Sequence, residues 1–184
     1  TETLARRHYG ADPEADVSFR VIADHARAVS IMIADHVLPS NEGRGYVLRR
    51  VLRRAARHGK MLGLDGTFLT HLVDAVAGIL GDAYPELRER QSFIAEVVET
   101  EESRFAETLD KGLGLLESEI AKLPAKDGVL PGDVAFKLYD TYGFPLDVTE
   151  DIARGRGDSV DDAGFKRAME EQRAAARKAW AGSG

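Results

Sequence analysis

Apolar residues return at three- and four-residue steps along almost the whole chain, and proline or glycine punctuates each run. Phe19, Ile22, Ala26, Val29, Ile33 and Val37 mark one face of a first long helix. Pro39 ends it, because proline disfavours helical geometry in the residue before it. A polar loop, Ser40-Asn41-Glu42-Gly43-Arg44-Gly45, leads to a helix from about Tyr46 to His58, with Gly59 as its expected C-cap. Thr67 to Leu80 reads as another helix, with Phe68, Leu72, Val76 and Ile79 inward. A long helix is expected from about Glu86 to Leu123, with Phe93, Val97, Phe105, Leu109, Leu116 and Ile120 on its apolar face and Glu and Arg on the other. Gly112 and Gly114 lower helix propensity there and predict a bend, and Pro124 closes the run.

The remainder keeps the same character. Asp133 to Tyr142 is a short helix ended by Gly143, and Pro145 suits the start of another through about Ala153. Asp161 to Trp180 is a last, highly charged helix. Strand signal is almost absent, with Gly128 to Leu130 the one weak candidate. The expected fold is therefore all-α: a multi-helix bundle with one long helix and a short C-terminal helical subdomain. Thr1 in place of methionine and the closing Ala-Gly-Ser-Gly suggest a piece of a longer protein.

Charge is where the chain departs from an ordinary domain. The net charge is −6, yet Arg44, Arg49, Arg50, Arg53, Arg54, Arg57 and Lys60 put seven cations into one stretch with no acid after Glu42. The rest of the chain must carry −13, and separation of this kind serves steering and polyanion binding more often than folding. On a helical wheel the five arginines from Arg49 to Arg57 fall on one side. Val47, Leu48, Val51, Leu52, Ala55 and Ala56 fall on the other. Arginines four residues apart repel one another unless something anionic sits opposite, and the flat guanidinium fork suits phosphate. A solvated face, or a face paired with Glu-rich helices of the same chain, is the plainer account. A membrane surface is disfavoured, since Tyr46 is the lone aromatic anchor on this helix, and no apolar run approaches the ~20 residues that span a bilayer.

Other chemistries find little support. The chain has no cysteine, which excludes disulfides and thiolate metal sites and fits a cytoplasmic protein. His25 and His36 lack the spacing of a metal pair, and structural or surface roles are expected for all five histidines. Gly43-Arg44-Gly45 is neither a phosphate-binding Walker loop nor a dinucleotide fingerprint. Its plain role is to cap the following helix through Ser40 or Asn41. In "KLYDTYGFP", Lys137 to Pro145, the aromatics are expected in the core. Asp140 sits near a helix C-terminus, where negative charge is unfavourable, and its plain role is to cap the following turn.

Three stretches, "RVIADHARA" (20–28), "LPSNEGRGYVLRRVLRRAARHG" (38–59) and "AFKLYDTYGFPLDVT" (135–149), closely resemble the alanyl-tRNA synthetases. They look like the helical tRNA-recognition domain of that family, and the resemblance covers nearly the whole chain. It implies that residues 1–16 are the tail of the class II catalytic domain. Residues 17–184 would form the recognition domain, in two subdomains if divided at 124/125. It implies a parent enzyme that joins alanine to tRNA(Ala) with ATP and Mg²⁺, and that carries a zinc-binding editing domain. The class II catalytic motifs and the editing histidines and cysteine are not in this sequence, so neither catalysis nor a cofactor is expected of it alone. The implied partners are the tRNA(Ala) acceptor stem and the enzyme's own catalytic and editing domains. The resemblance also assigns Asn41 and Asp140 as the side chains that read a G·U wobble pair. The seven cations would then hold phosphates without reading sequence. A helical protein-interaction scaffold with an acidic partner, and a generic RNA-binding module, are the alternatives.

Overall fold

The computed structural model describes residues 1–124 and 127–181, with side chains through residue 174. Among these, the elements are α1 (Glu2–Ala5), α2 (Pro13–Ala34), α3 (Gly43–Met61), α4 (Leu69–Leu80), α5 (Glu86–Glu89), α6 (Gln91–Ile120), β1 (Val129–Leu130), α7 (Gly132–Tyr142), α8 (Leu146–Gly155), β2 (Ser159–Val160) and α9 (Asp162–Ala181). The fold is thus mostly helical, as the periodicity predicts, with one very small sheet. Two compact units divide at Glu107/Thr108, within the length of α6. The boundary drawn at 124/125 adjoins residues 125 and 126, which lie outside the described residues.

In the first unit α2 packs against α3, α4 and α5. Asp12 caps α2 by accepting from the Glu14 N–H at 3.0 Å, and Pro13 follows at the first helical position, where its missing N–H costs nothing. The helix therefore starts a turn and a half before Phe19. It ends at Ala34 rather than Val37, because His36 turns into the left-handed region at φ 62°. The core is built from Phe19, Ile22 and Ile33 of α2, Leu48 and Leu52 of α3, Leu69 and Val73 of α4, and Ile94, Val98 and Phe105 of α6.

Three expectations fail here for identifiable reasons. Gly59 is not a cap. It lies inside α3, where an added Cβ would stand 2.1 Å from the Phe68 ring, so its service is close packing. The cap is Gly63, at φ 82°, where the Gly63 N–H reaches the Lys60 carbonyl and the Leu64 N–H reaches that of Gly59, both at 3.0 Å. The expected single helix from Glu86 breaks at Arg90, whose Nη1 donates to the Ala34 carbonyl at 3.0 Å. Within α6 the buried stripe runs through Ile94, Val98 and Phe105, seven residues on from the buried Leu87, so Phe93, expected inward, is exposed. Ile79 of α4, expected inward, is also exposed.

In the second unit β1 and β2 pair in parallel, Val129 with Ser159 and Leu130 with Val160, and α7 and α8 form the crossover between them. The expected strand at Gly128 to Leu130 is present. Its partner carried no pattern of its own, since two residues are too few to show alternation. The α7 helix packs against α8 and α9. Phe165 of α9 lies edge-on to Tyr139, with ring centroids 5.7 Å apart. As expected, α7 ends at Gly143, in the left-handed region at φ 69°, and the Phe144 N–H closes it by donating to the Leu138 carbonyl at 2.9 Å. Gly112 of α6 is a packing position: an added Cβ would stand 2.3 Å from the buried Phe144 ring.

Candidate nucleic-acid interface

The loop that begins α3 is fixed by its glycines. Gly43 takes φ 57°, which a side chain resists. At Gly45 an added Cβ would stand 2.2 Å from the Leu38 carbonyl and 2.3 Å from Ser40 Oγ. The loop folds back over the helix start at that point, and only glycine allows the approach. Capping by Ser40 or Asn41 does not occur. Ser40 Oγ donates to the Glu42 carbonyl at 2.7 Å, and no side chain caps α3 at its N-cap residue Glu42. Asn41 is exposed, and its Oδ1 accepts from Arg49 Nη1. Arg44 is exposed in the first turn, where the positive end of the helix dipole disfavours a cation. An anion at this end would meet both the dipole and the guanidinium.

Further along α3 the expected outward wall of arginine is not uniform. Arg49, Arg50, Arg53, Arg54 and Arg57 are half-buried, and Val47 on the expected inner side is exposed. The reason is an acid on α6. Glu101, 2% exposed, accepts from Arg53 Nε at 2.8 Å and Nη2 at 2.5 Å, and Arg49 Nε lies 3.0 Å from the same oxygen. The Arg53 guanidinium also stands 5.2 Å from the Phe105 ring centroid, a favourable cation–π distance. For these two arginines the plainer account, pairing within the chain, describes what they do. Lys60, exposed at the other end of the strip, lies 3.3 Å from Asp65 Oδ1.

A second acid on α6 faces the other way. Glu102, 1% exposed, accepts from the Phe68 N–H at 3.0 Å and the Leu69 N–H at 3.1 Å. It thereby satisfies the start of α4, which has no side-chain cap of its own. Burial raises its pKa from 4.5 to about 7, against the pull of those two amides and with a smaller push from Glu99. Both glutamates lie on the polar face in the sequence reading. A signal existed: they sit three and four residues after Val98, and four and three before Phe105, at positions of the buried stripe.

Asp140, in the second unit, is exposed near the C-terminus of α7. It does not cap the following turn, which the backbone closes without it. Its Oδ1 accepts from Gln172 Nε2 of α9 at 2.5 Å. Gln172 carried no sequence signal, because 32 positions separate the pair. The histidines are structural or on the surface: His58, for one, is buried with Nδ1 3.0 Å from Ser18 Oγ. Among the described residues no group of three or more His, Asp or Glu is arranged to hold a metal ion. No described helix is long and apolar enough to cross a membrane.

Comparison with known proteins bears on this arrangement. The family model described as tRNA synthetases class II (A) matches residues 1–184. The "Alanine--tRNA ligase" of Nitratidesulfovibrio vulgaris is 57% identical over 182 residues, 98% of this chain and 21% of that protein. The protein of the same name from Geobacillus thermodenitrificans is 55% identical over 181 residues, 97% of this chain and 20% of that protein. That from Paracoccus denitrificans is 58% identical over 176 residues, again 20% of its length. The chain therefore spans about a fifth of the length of the curated relatives it matches. The match over its full length, agreeing with the resemblance read from residues 20–28, 38–59 and 135–149, shows that the chain belongs to the class II (A) tRNA synthetases.

Proposed function

We propose that this chain is the tRNA-recognition region of an alanine–tRNA ligase, and that it reads the G·U wobble pair of the tRNA(Ala) acceptor stem. Residues 1–16 then end the catalytic domain and residues 17–184 form the recognition domain. The longer protein joins alanine to tRNA with ATP in the cytoplasm, and its catalytic and editing domains are this region's other partners. In this reading Asn41 and Asp140 meet the base pair from the shallow minor groove of A-form RNA. A wobble leaves the guanine 2-amino group without its cytosine partner, and the Asp140 carboxylate accepts from it.

The observation that carries the reading is the start of α3. An exposed Arg44 and an exposed Asn41 stand at a helix N-terminus that no side chain caps, in a chain of net charge −6. Phosphate suits that end of the helix, and the cations from Arg44 to Lys60 supply the field that draws RNA to it. Arg44 is the first phosphate contact. Arg50, Arg54, Arg57 and Lys60 extend the basic strip, while Arg49 and Arg53 are already held by Glu101.

The test is binding of a minihelix carrying G·U, and of the same stem with G·C, across a salt series. Preference for G·U, lost in Asn41→Ala and Asp140→Ala, is the expected result, with affinity falling steeply as salt rises through counterion release. No binding at low salt rejects RNA recognition altogether. Binding without preference leaves only a generic RNA-binding module.

A further inference from the structure

Three side chains form a line from the interior of the first unit to its surface. Glu101 is buried, Arg49 Nε lies 3.0 Å from its Oε1, and Arg49 Nη1 donates to Asn41 Oδ1. Arg49 has no acceptor atom, so the Asn41 atom that meets it is the carboxamide oxygen, whichever way the amide is drawn. One lone pair of that oxygen is therefore engaged from within the protein, and the oxygen is held facing Arg49. The –NH₂ end of the same planar group is left to project from an exposed residue on an exposed loop.

We infer that Arg49 is a positioning residue, anchored by Glu101, which holds the Asn41 oxygen and so turns the hydrogen-bond donors of its –NH₂ toward the RNA. Resting on the proposal that Asn41 reads a base pair, this gives its polarity. Asn41 recognises an acceptor on the minor-groove edge, such as uracil O2, while the acceptor role falls to the Asp140 carboxylate. An unanchored asparagine could rotate about χ2 and present either end. It would then discriminate poorly between an edge that donates and one that accepts. The two half-buried arginines also differ in consequence: Arg53 donates inward to Glu101, whereas Arg49 also donates outward to Asn41.

The experiment measures the ratio of G·U to G·C minihelix affinity, and the slope of log affinity against log salt, for the 184-residue chain and its variants. Asn41→Asp keeps the oxygen that faces Arg49 and deletes the donors. Its ratio is expected to fall about tenfold, to that of Asn41→Ala. Retention of the ratio in Asn41→Asp, with loss in Asn41→Ala, overturns the donor assignment. An unchanged ratio in Asn41→Ala rejects instead the underlying reading of Asn41. Arg49→Gln is expected to lose the ratio with the salt slope unchanged. A slope reduced by about one with the ratio intact makes Arg49 a phosphate contact and overturns the inference. Arg49→Lys keeps a charge opposite Glu101 but cannot span both partners, so it is the variant to use if Arg49→Gln does not show a native melt. A ratio preserved in Arg49→Lys likewise overturns the positioning role.

Discussion

Arg53 donates through both Nε and Nη2 to one oxygen of Glu101, at 2.8 and 2.5 Å, and that carboxylate is only 2% exposed. The most conspicuous feature of the sequence, a basic helix in an acidic chain, is thus partly satisfied by an acid 48 residues away. Removing one member of a buried pair strands the other charge, which costs more than the pair contributed. Arg49 remains 3.0 Å from Glu101 in Arg53→Ala, so that variant should lose at most about 3–5 kcal/mol of unfolding free energy in urea denaturation. The double variant Arg53→Met, Glu101→Met should lose much less than the two single losses added together. A single-variant loss below about 1 kcal/mol would mean that the pair behaves as a solvated surface contact.

Glu102 makes stability depend on pH in an unusual direction. Its carboxyl is raised from 4.5 to about 7 by burial. The folded state therefore holds a proton that the unfolded chain releases. The stabilisation is fully present below about pH 4.5 and is lost as pH rises through about 7. The displacement corresponds to at most about 3 kcal/mol. Glu102→Gln cannot ionise yet still accepts from Phe68 and Leu69. It should match the parent protein near pH 4 and exceed it by up to about 3 kcal/mol near pH 8. A difference independent of pH, in urea melts at both values, would show that Glu102 does not titrate in this window.

Gly112 and Gly114 look equivalent in the sequence and differ in the folded chain. A Cβ at Gly112 would meet Phe144, whereas nothing lies within 4 Å of one at Gly114. Gly114→Ala should raise the thermal midpoint, by up to about 1 kcal/mol of helix propensity. Gly112→Ala should lower it, since overpacking costs about 1–3 kcal/mol and exceeds the propensity gain. Midpoints that move in the same direction would contradict the packing at Gly112.

Gly45 should be the most sensitive position in the loop that carries Asn41. The Leu38 carbonyl 2.2 Å from an added Cβ is backbone and cannot rotate away, so Gly45→Ala must displace the loop. The expected result is loss of the G·U preference with the salt slope retained, because the cations of α3 stay in place. A variant with the preference intact would show that loop geometry does not set Asn41.

What the sequence determined by itself is what one helical turn can reveal. The three- and four-residue recurrence marked the helices, Gly143 and Pro145 marked two of their boundaries, and the strip from Arg44 to Lys60 stood out by charge alone. These signals are local, because helix periodicity and the dihedral limits of proline and glycine act within a few residues. Tertiary structure decided the rest. It made Gly59 a packing position rather than a cap, through Phe68, and placed Gly112 against Phe144. It broke the expected single helix at Arg90, and it paired Val129 with Ser159 across 30 positions. Above all it buried Glu101 and Glu102, two acids whose composition reads as surface. A buried carboxylate is tolerated only where a cation or free amides meet it, and those partners come from α3 and α4, distant in sequence. The residues expected to touch RNA could be named from the chain, but which end of the Asn41 amide faces Arg49 depends on a contact no local pattern encodes.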